Sequence, residues 1–244
     1  MKLFITSYCD NPVLEKAAIL TLSSLRIGFP TVQDVTCLWM GRLASVGEKV
    51  KSICDQNGIH FVADQINHTN DEAYRCIIGS QTGEIVLLDS DIIFWQECES
   101  YSSDYNLSGR VIPQHFCKHT QSITMARVHP SFVWIKDCAQ LRNDIEALRP
   151  NKSRFTQYDP IAPVTVRIGG QYVFFDTMAN IPVPVGAFPE SMLERYDHLF
   201  CGSFVDQVDK THTGLLARHK AIYENPLLAK GILRQQEEYF YGKT

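Results

Sequence analysis

The chain has 244 residues, 45% hydrophobic and 20% charged, a composition that suits a globular protein with one sizeable core. A formal net charge of −4 excludes the overall basic footprint of a protein built to coat nucleic acid. No apolar run approaches the ~18 residues that a membrane-crossing helix needs.

The first residues, Met1-Lys2-Leu3-Phe4-Ile5-Thr6-Ser7, carry one lysine and a short apolar patch that runs into polar residues. That pattern reads as a first strand, Leu3–Tyr8, rather than a signal peptide. Asn11-Pro12 then reads as an N-cap followed by proline at the first helical position. Helical spacing of Val13, Leu14, Ala17, Ala18, Thr21, Leu22 and Leu25 continues to about Arg26, and Gly28-Phe29-Pro30 stops it. Asp34–Met40 is a second strand, Ala44–Asn57 a second helix ending at Asn57-Gly58, and Ile59–Ala63 a short third strand. Asp71–Ser80 is a third helix.

Next comes Glu84-Ile85-Val86-Leu87-Leu88-Asp89-Ser90-Asp91-Ile92-Ile93-Phe94-Trp95. So short and apolar a run reads as a buried strand of a parallel sheet. Ligands of open α/β sheets gather at the carboxyl ends of strands. Two carboxylates there need a reason to leave water, and a divalent cation shared with the oxygens of a diphosphate is one. The bland alternative is a solvated turn. Four strands alternating with three helices predict parallel pairing with right-handed crossovers.

The rhythm breaks after Trp95. Residues 96–107 are polar and rich in serine and tyrosine, fitting a helical turn and a loop. Gly109–Pro113 and Phe132–Ile135 are short strand candidates, separated by a polar segment with His115, His119 and His129. Asp137–Leu148 is an amphipathic helix, and Asn151–Pro163 is loop-like. Gln171–Phe175 is a strand leading to Asp176, and Thr177–Ile181 fits a helical turn. Pro182, Pro184 and Pro189 argue against long regular structure. Pro226–Tyr241 reads as a C-terminal helix. Eight cysteines are dispersed without CxxC or zinc spacing, which predicts buried free thiols in a reducing, cytoplasmic compartment.

In order and spacing, residues 1–95 with Leu87-Leu88-Asp89-Ser90-Asp91 resemble the GT-A glycosyltransferases. Tyr196-Asp197-His198-Leu199-Phe200-Cys201-Gly202-Ser203 is similar to the C-terminal histidine motif of the retaining, family 8-like members. The resemblance implies an α/β, Rossmann-like GT-A fold, a mostly parallel central sheet flanked by helices. It implies a single domain over 1–244, in which 1–95 bind the nucleotide sugar and 96–244 the acceptor. It implies Mn²⁺ or Mg²⁺ bound by Asp89, Asp91 and His198, with Asp91 the first choice as ligand and catalytic group and Asp89 serving ribose, metal or both. Gly202 is then where the backbone approaches the diphosphate. The pattern departs from the family, because Gly202 stands four residues after His198 instead of three. The lysine expected three residues further on is missing, leaving Lys210, Arg218 and Lys220 as candidates for that charge. His129-Pro130-Ser131-Phe132-Val133-Trp134-Ile135 resembles the acceptor-side segment.

The remaining candidates follow from strand ends and helix faces. Thr6, Ser7 and Tyr8 close the first strand, where a nucleobase would bind. Arg75, on the third helix, either reaches the donor or lies on a solvated face. Asp176 is a general base if the reaction inverts, or otherwise an N-cap. His115 and His119 share a helical face only if their segment is a helix. The expected function is metal-dependent transfer of a sugar from a nucleotide diphosphate sugar, a UDP-sugar first, to an acceptor hydroxyl. Retention is favoured by His198 and inversion by Asp176. The acceptor is open among glycan, small molecule and modified DNA base. The last is prompted by the locally basic His115, Lys118, His119, Arg127 and His129. The rivals are a haloacid dehalogenase-like phosphatase, whose Asp-x-Asp normally follows the first strand, a sugar-phosphate nucleotidyltransferase, and a non-catalytic GT-A-like binding domain.

Overall fold

The computed structural model describes residues 1–7, 12–64, 70–112, 115–117, 122–124, 127–148, 164–168, 171–175, 183–199 and 215–235. Strand β1 (Lys2–Ser7) leads into helix α1 (Pro12–Gly28), followed by β2 (Val35–Trp39), α2 (Ala44–Gln56), β3 (His60–Ala63), α3 (Asn70–Ser80) and β4 (Ile85–Asp89). Then come β5 (Ile92–Phe94), β6 (Leu107–Ile112), β7 (His115–Cys117), β8 (Ser122–Thr124), β9 (Arg127–Ile135) and α4 (Cys138–Leu148). The chain continues through β10 (Val164–Ile168), β11 (Gln171–Phe175), β12 (Val183–Ala187), α5 (Glu190–Leu193), β13 (Tyr196–His198) and α6 (Leu215–Glu224). The strands form a mostly parallel central sheet flanked by helices, the α/β class the sequence predicts.

Contacts divide the chain into two compact units, one of residues 1, 68–87 and 102–188, the other of residues 2–67, 88–101 and 189–244. In the second, β1, β2 and β3 pair in parallel, with Ile5 opposite Cys37 and Cys37 opposite Phe61. Helix α1 buries Ala17, Ala18, Leu22 and Leu25 at helical spacing. Helix α2 buries Val46, Val50 and Cys54, and Gly47 lets it close on β2, because a Cβ there would lie 2.7 Å from the Trp39 ring. Its exit is the one the Asn57-Gly58 pair predicts: Gly58 takes φ of 63° and Ile59 N–H donates to the Cys54 carbonyl at 2.9 Å.

In the first unit the strand order is β11-β10-β12-β6-β9-β4. Ile85, Val86, Leu87 and Leu88 are fully buried, so β4 has no polar face, as a strand covered on both sides requires.

Several expectations are corrected. The two aspartates stand at the end of β4, and the apolar run that resumes after them is a separate strand, β5, with Ser90 and Asp91 in the turn between. Residues 96–106 hold one hydrogen-bonded turn, closed by the Tyr101 N–H on the Cys98 carbonyl at 3.0 Å, within the expected loop. Strand β9 starts at Arg127, five residues before the expected Phe132, and runs through Pro130. Proline is tolerated there because the β6–β9 register slips between Gly109 and Val111, which pair with Val133 and Val128 and leave Pro130 in a bulge. Its carbonyl accepts a hydrogen bond from the Tyr74 hydroxyl at 3.0 Å. The polar segment before it holds an antiparallel pair, β7 with β8, so His115 lies on a strand and the helical His115/His119 spacing does not arise. Pro184 lies within β12, where β6 pairs only from Val185 onward. Strand β10 and helix α6 were not anticipated. The expected C-terminal helix is interrupted: it starts as the 3₁₀ turn Pro226–Ala229, Gly231 takes φ of 83°, and residues 232–235 are helical again. Residues 151–163 and 177–181, and the terminal part beyond Gln235, lie outside the described residues.

Candidate functional site

The site begins where β4 ends. Asp89 is the last residue of β4, Ser90 and Asp91 make the turn, and β5 carries the chain away. Helix α1 fixes the direction of β5. Thr21 Oγ1 donates to the Ala17 carbonyl at 3.2 Å and accepts the Ile92 N–H at 3.0 Å. Ser24 Oγ likewise donates to the Thr21 carbonyl at 3.2 Å and accepts the Phe94 N–H at 3.2 Å. Each hydroxyl thus satisfies a buried N–H that has no ladder partner on that edge.

The other edge of β5 pairs antiparallel with β13, placing His198 opposite Ile92 and Tyr196 opposite Phe94. Leu199 N–H donates to the Asp91 carbonyl at 2.7 Å, which pins the end of β13 to the turn. As a result His198 Nε2 stands 3.2 Å from Asp91 Oδ1, with both residues buried. Ligand atoms of Asp89, Asp91 and His198 all lie within 4.8 Å of one another. Asp91 Oδ1 is buried and accepts no hydrogen bond among the described residues. A buried carboxylate oxygen in that condition is costly unless a cation answers it. Two carboxylates and one imidazole therefore fit a divalent metal, and the nitrogen donor suits Mn²⁺ better than Mg²⁺.

Thr6 is buried at the end of β1, with Oγ1 3.4 Å from both the Leu88 carbonyl and Asp89 Oδ1. It stands beside the group of Asp89, Asp91 and His198, where its hydroxyl contacts the Asp89 carboxylate. Ser7 is fully buried, and its carbonyl accepts the Met40 N–H at 2.8 Å. Arg75 lies on α3. Tyr8, Asp176 and Gly202 lie outside the described residues, as do Lys210 and the Arg75 side chain. Strand β11, which leads to Asp176, pairs in parallel with β9, with Phe175 opposite Val128. The two acceptor-side candidates of the sequence, the His129 segment and the Asp176 strand, are thus neighbours in one sheet. His129 Nδ1 is 2.8 Å from Ser131 Oγ, a local pairing that orders the bulge.

Three residues escaped the sequence reading. Thr21 and Ser24 look like ordinary members of the α1 stripe, and the one signal is their hydroxyl on an otherwise apolar face. Asp197 is the third. It is buried, yet its carboxylate accepts from Trp95 Nε1 at 2.7 Å, Gly231 N at 2.8 Å and Leu233 N at 2.7 Å. Burial pushes its carboxyl above the ordinary carboxylate range, against the pull of those three donors. Tyr196 and Asp197 also line a cleft of about 290 Å³ that includes none of the three metal-cluster residues. Arg234 of that cleft is paired with Glu190 and Glu194, so its charge is already answered.

No family model matches the sequence, and no curated protein matches it. Solved structures similar to the chain are glycosyltransferases and nucleotidyltransferases. They include the WbbM bifunctional glycosyltransferase, 8% identical with a TM-score of 0.43 over 59% of this chain and 32% of that one. The glycosyltransferase GlyE of Streptococcus pneumoniae TIGR4 is 9% identical with a TM-score of 0.40 over 88% and 51%. A protein described as a glucose-1-phosphate thymidylyltransferase of Bacillus anthracis is 12% identical with a TM-score of 0.43 over 92% and 96%. The chain thus spans from a third to a half of the length of the first two. Likenesses of this degree carry no functional argument and leave the site itself to carry it.

Proposed function

We propose that this chain is a divalent-metal-dependent glycosyltransferase that moves a sugar from a nucleotide diphosphate sugar, a UDP-sugar first, to an acceptor hydroxyl. The observation that carries the reading is the convergence of Asp89, Asp91 and His198 within 4.8 Å at the end of β4. Residues 1–244 act as one GT-A-like domain, 1–95 serving the donor and 96–244 the acceptor. The free thiols of Cys37, Cys54, Cys76, Cys98 and Cys138 support a reducing, cytoplasmic setting. No helix among the described residues is long and apolar enough to cross a membrane.

Departure of a nucleoside diphosphate builds negative charge on the leaving oxygens, and a bound divalent cation neutralises that charge as a Lewis acid. Asp91, from the turn, and His198, from β13, would hold that cation. Asp89 shares it or takes the donor's ribose, with Thr6 steadying its carboxylate. Gly202 gives backbone access to the diphosphate, and Lys210, Arg218 or Lys220 supplies the missing positive charge. Thr6, Ser7 and Tyr8 border the nucleobase, and Arg75 is either a donor contact or part of a solvated helix face. Asp176 takes the acceptor proton if the anomeric centre inverts, whereas the His198 motif favours retention. A glycan, small-molecule or DNA-base acceptor all remain compatible with this chemistry.

The test is a panel of nucleotide sugars screened for Mn²⁺-dependent donor hydrolysis, read beside thermal stability with UDP or GDP. Mn²⁺-dependent stabilisation and hydrolysis, both lost in Asp91→Ala, are expected. Indifference to every nucleotide with Mn²⁺ sinks the reading, and phosphate release from p-nitrophenyl phosphate turns it into a phosphatase.

A further inference from the structure

Asp197 has no part in the chemistry above, yet its surroundings are built around it. It is 3% exposed, and burying a carboxylate is costly unless its bonds are made. Its bonds join three pieces of chain. Oδ2 accepts from the Trp95 indole, directly after β5, and from the Gly231 backbone, which reaches it through a positive φ. Oδ1 accepts from the Leu233 backbone.

The strand that needs this anchor is weak by itself. β13 has three residues and pairs with one strand, β5, which also has three. Isolated two-stranded pairs of this length are marginal. His198 is the last residue of β13, and its ring depends on where that strand lies. The Leu199 N–H bond to the Asp91 carbonyl holds one side of the strand end. Alternation along the strand turns Asp197 away from the His198 face, so its three bonds hold the opposite side. Ile93, opposite Asp197 on β5, and Leu199, two residues after it, belong to an apolar cluster with Ala17, Ile222, Ala229 and Ile232.

The geometry points to Asp197 as the positioning residue that keeps His198 within reach of Asp91 and thereby completes the divalent-metal site. The inference rests on the metal reading above. Groups bonded directly to a metal ligand are typically worth roughly 10–100-fold in metal affinity, and Asp197 acts on His198 one step further out, through the strand they share.

The variant to make is Asp197→Asn. If its amide oxygen keeps Trp95 and Gly231, its NH₂ faces the Leu233 N–H. If it is turned over, the NH₂ faces the other two donors. The full-length chain is titrated with Mn²⁺, and electron spin-echo spectra of the bound ion report whether an imidazole nitrogen is coordinated. His198→Gln identifies the source of that nitrogen signal. Wild type is expected to bind Mn²⁺ with nitrogen coupling. Asp197→Asn is expected to bind roughly 10–100-fold more weakly and to lose the coupling, while carboxylate ligation persists. Trp95→Phe, which removes one donor and keeps an aromatic ring, should shift both in the same direction by less, and it decides the matter if Asp197→Asn does not fold. A merely structural role would lower the melting temperature and leave the coupling intact. Wild-type affinity and coupling in the variants overturn the role of Asp197 alone. A wild-type protein that does not bind Mn²⁺, or binds it without nitrogen coupling, overturns the three-ligand reading as well.

Discussion

His198 Nε2 stands 3.2 Å from Asp91 Oδ1 because two three-residue strands, β5 and β13, meet at the turn that follows β4. The pair is far apart in sequence and buried together, and Asp91 Oδ1 has no hydrogen bond of its own among the described residues. A cation placed there answers the carboxylate and uses the imidazole as a neutral ligand. At a concentration about 100 times its Kd, a ligand of the native state stabilises by about 2.7 kcal/mol. Mn²⁺ should therefore raise the melting temperature of the wild type, and chelation should reverse the rise. Scanning calorimetry of Asp91→Ala should show no rise, and an equal rise would remove Asp91 from the ligand set.

The hydroxyl of Thr21 accepts the Ile92 N–H at 3.0 Å on the edge of β5 that faces α1. Thr21→Val preserves shape and removes the oxygen. The cost of leaving a buried donor unsatisfied is about 1–3 kcal/mol, read as a lower urea midpoint with unchanged slope. Ser24→Ala should act in the same direction through Phe94. Variants as stable as wild type would mean that β5 is held by its β13 edge alone.

Gly28 ends α1 against the Phe94 ring, where an added Cβ would lie 2.5 Å from Cδ1. The ring is locked edge-on to Phe29, with centroids 5.5 Å apart, and cannot retreat cheaply. Gly28→Ala should cost about 1–3 kcal/mol by overpacking, and it should weaken Mn²⁺ binding because β5 leads directly from the Asp91 turn. Chemical denaturation together with a Mn²⁺ titration checks both effects, and an unchanged stability would show that helix and strand separate without penalty.

Burial pushes the Cys98 thiol up to about 12 and the Cys138 thiol up to about 11. The thiolate is the nucleophile, so at pH 8 both are almost wholly in the unreactive form. Cys76 is exposed on α3. Brief iodoacetamide treatment of the native protein followed by peptide mass mapping should label Cys76 and spare Cys98 and Cys138. Labelling of all three at one rate would mean that those cores open on the timescale of the reaction.

Much of the fold is legible because its signals are local. The apolar stripe of α1, the Asn57-Gly58 exit of α2 and the unbroken Ile85–Leu88 run each declare a backbone state to the reader of the sequence. The turn-forming Asp89-Ser90-Asp91 declares a strand end with two carboxylates on it. What sequence did not declare depends on partners elsewhere. Pro130 and Pro184 look like strand breakers until a bulge and a one-sided pairing accommodate them. Gly231 interrupts a promising C-terminal helix because its N–H turns to Asp197.

The candidate site divides in the same way. Residue type and order by themselves determined that Asp89 and Asp91 close a buried strand in an α/β chain, since period and polarity are properties of neighbours along the backbone. Only the tertiary structure decided that His198 faces Asp91, that Thr21 and Ser24 aim β5, and that Asp197 anchors β13. Each of those is a hydrogen bond or strand pairing across a long loop, whose closure entropy is offset by the packed whole and by nothing within the segment itself.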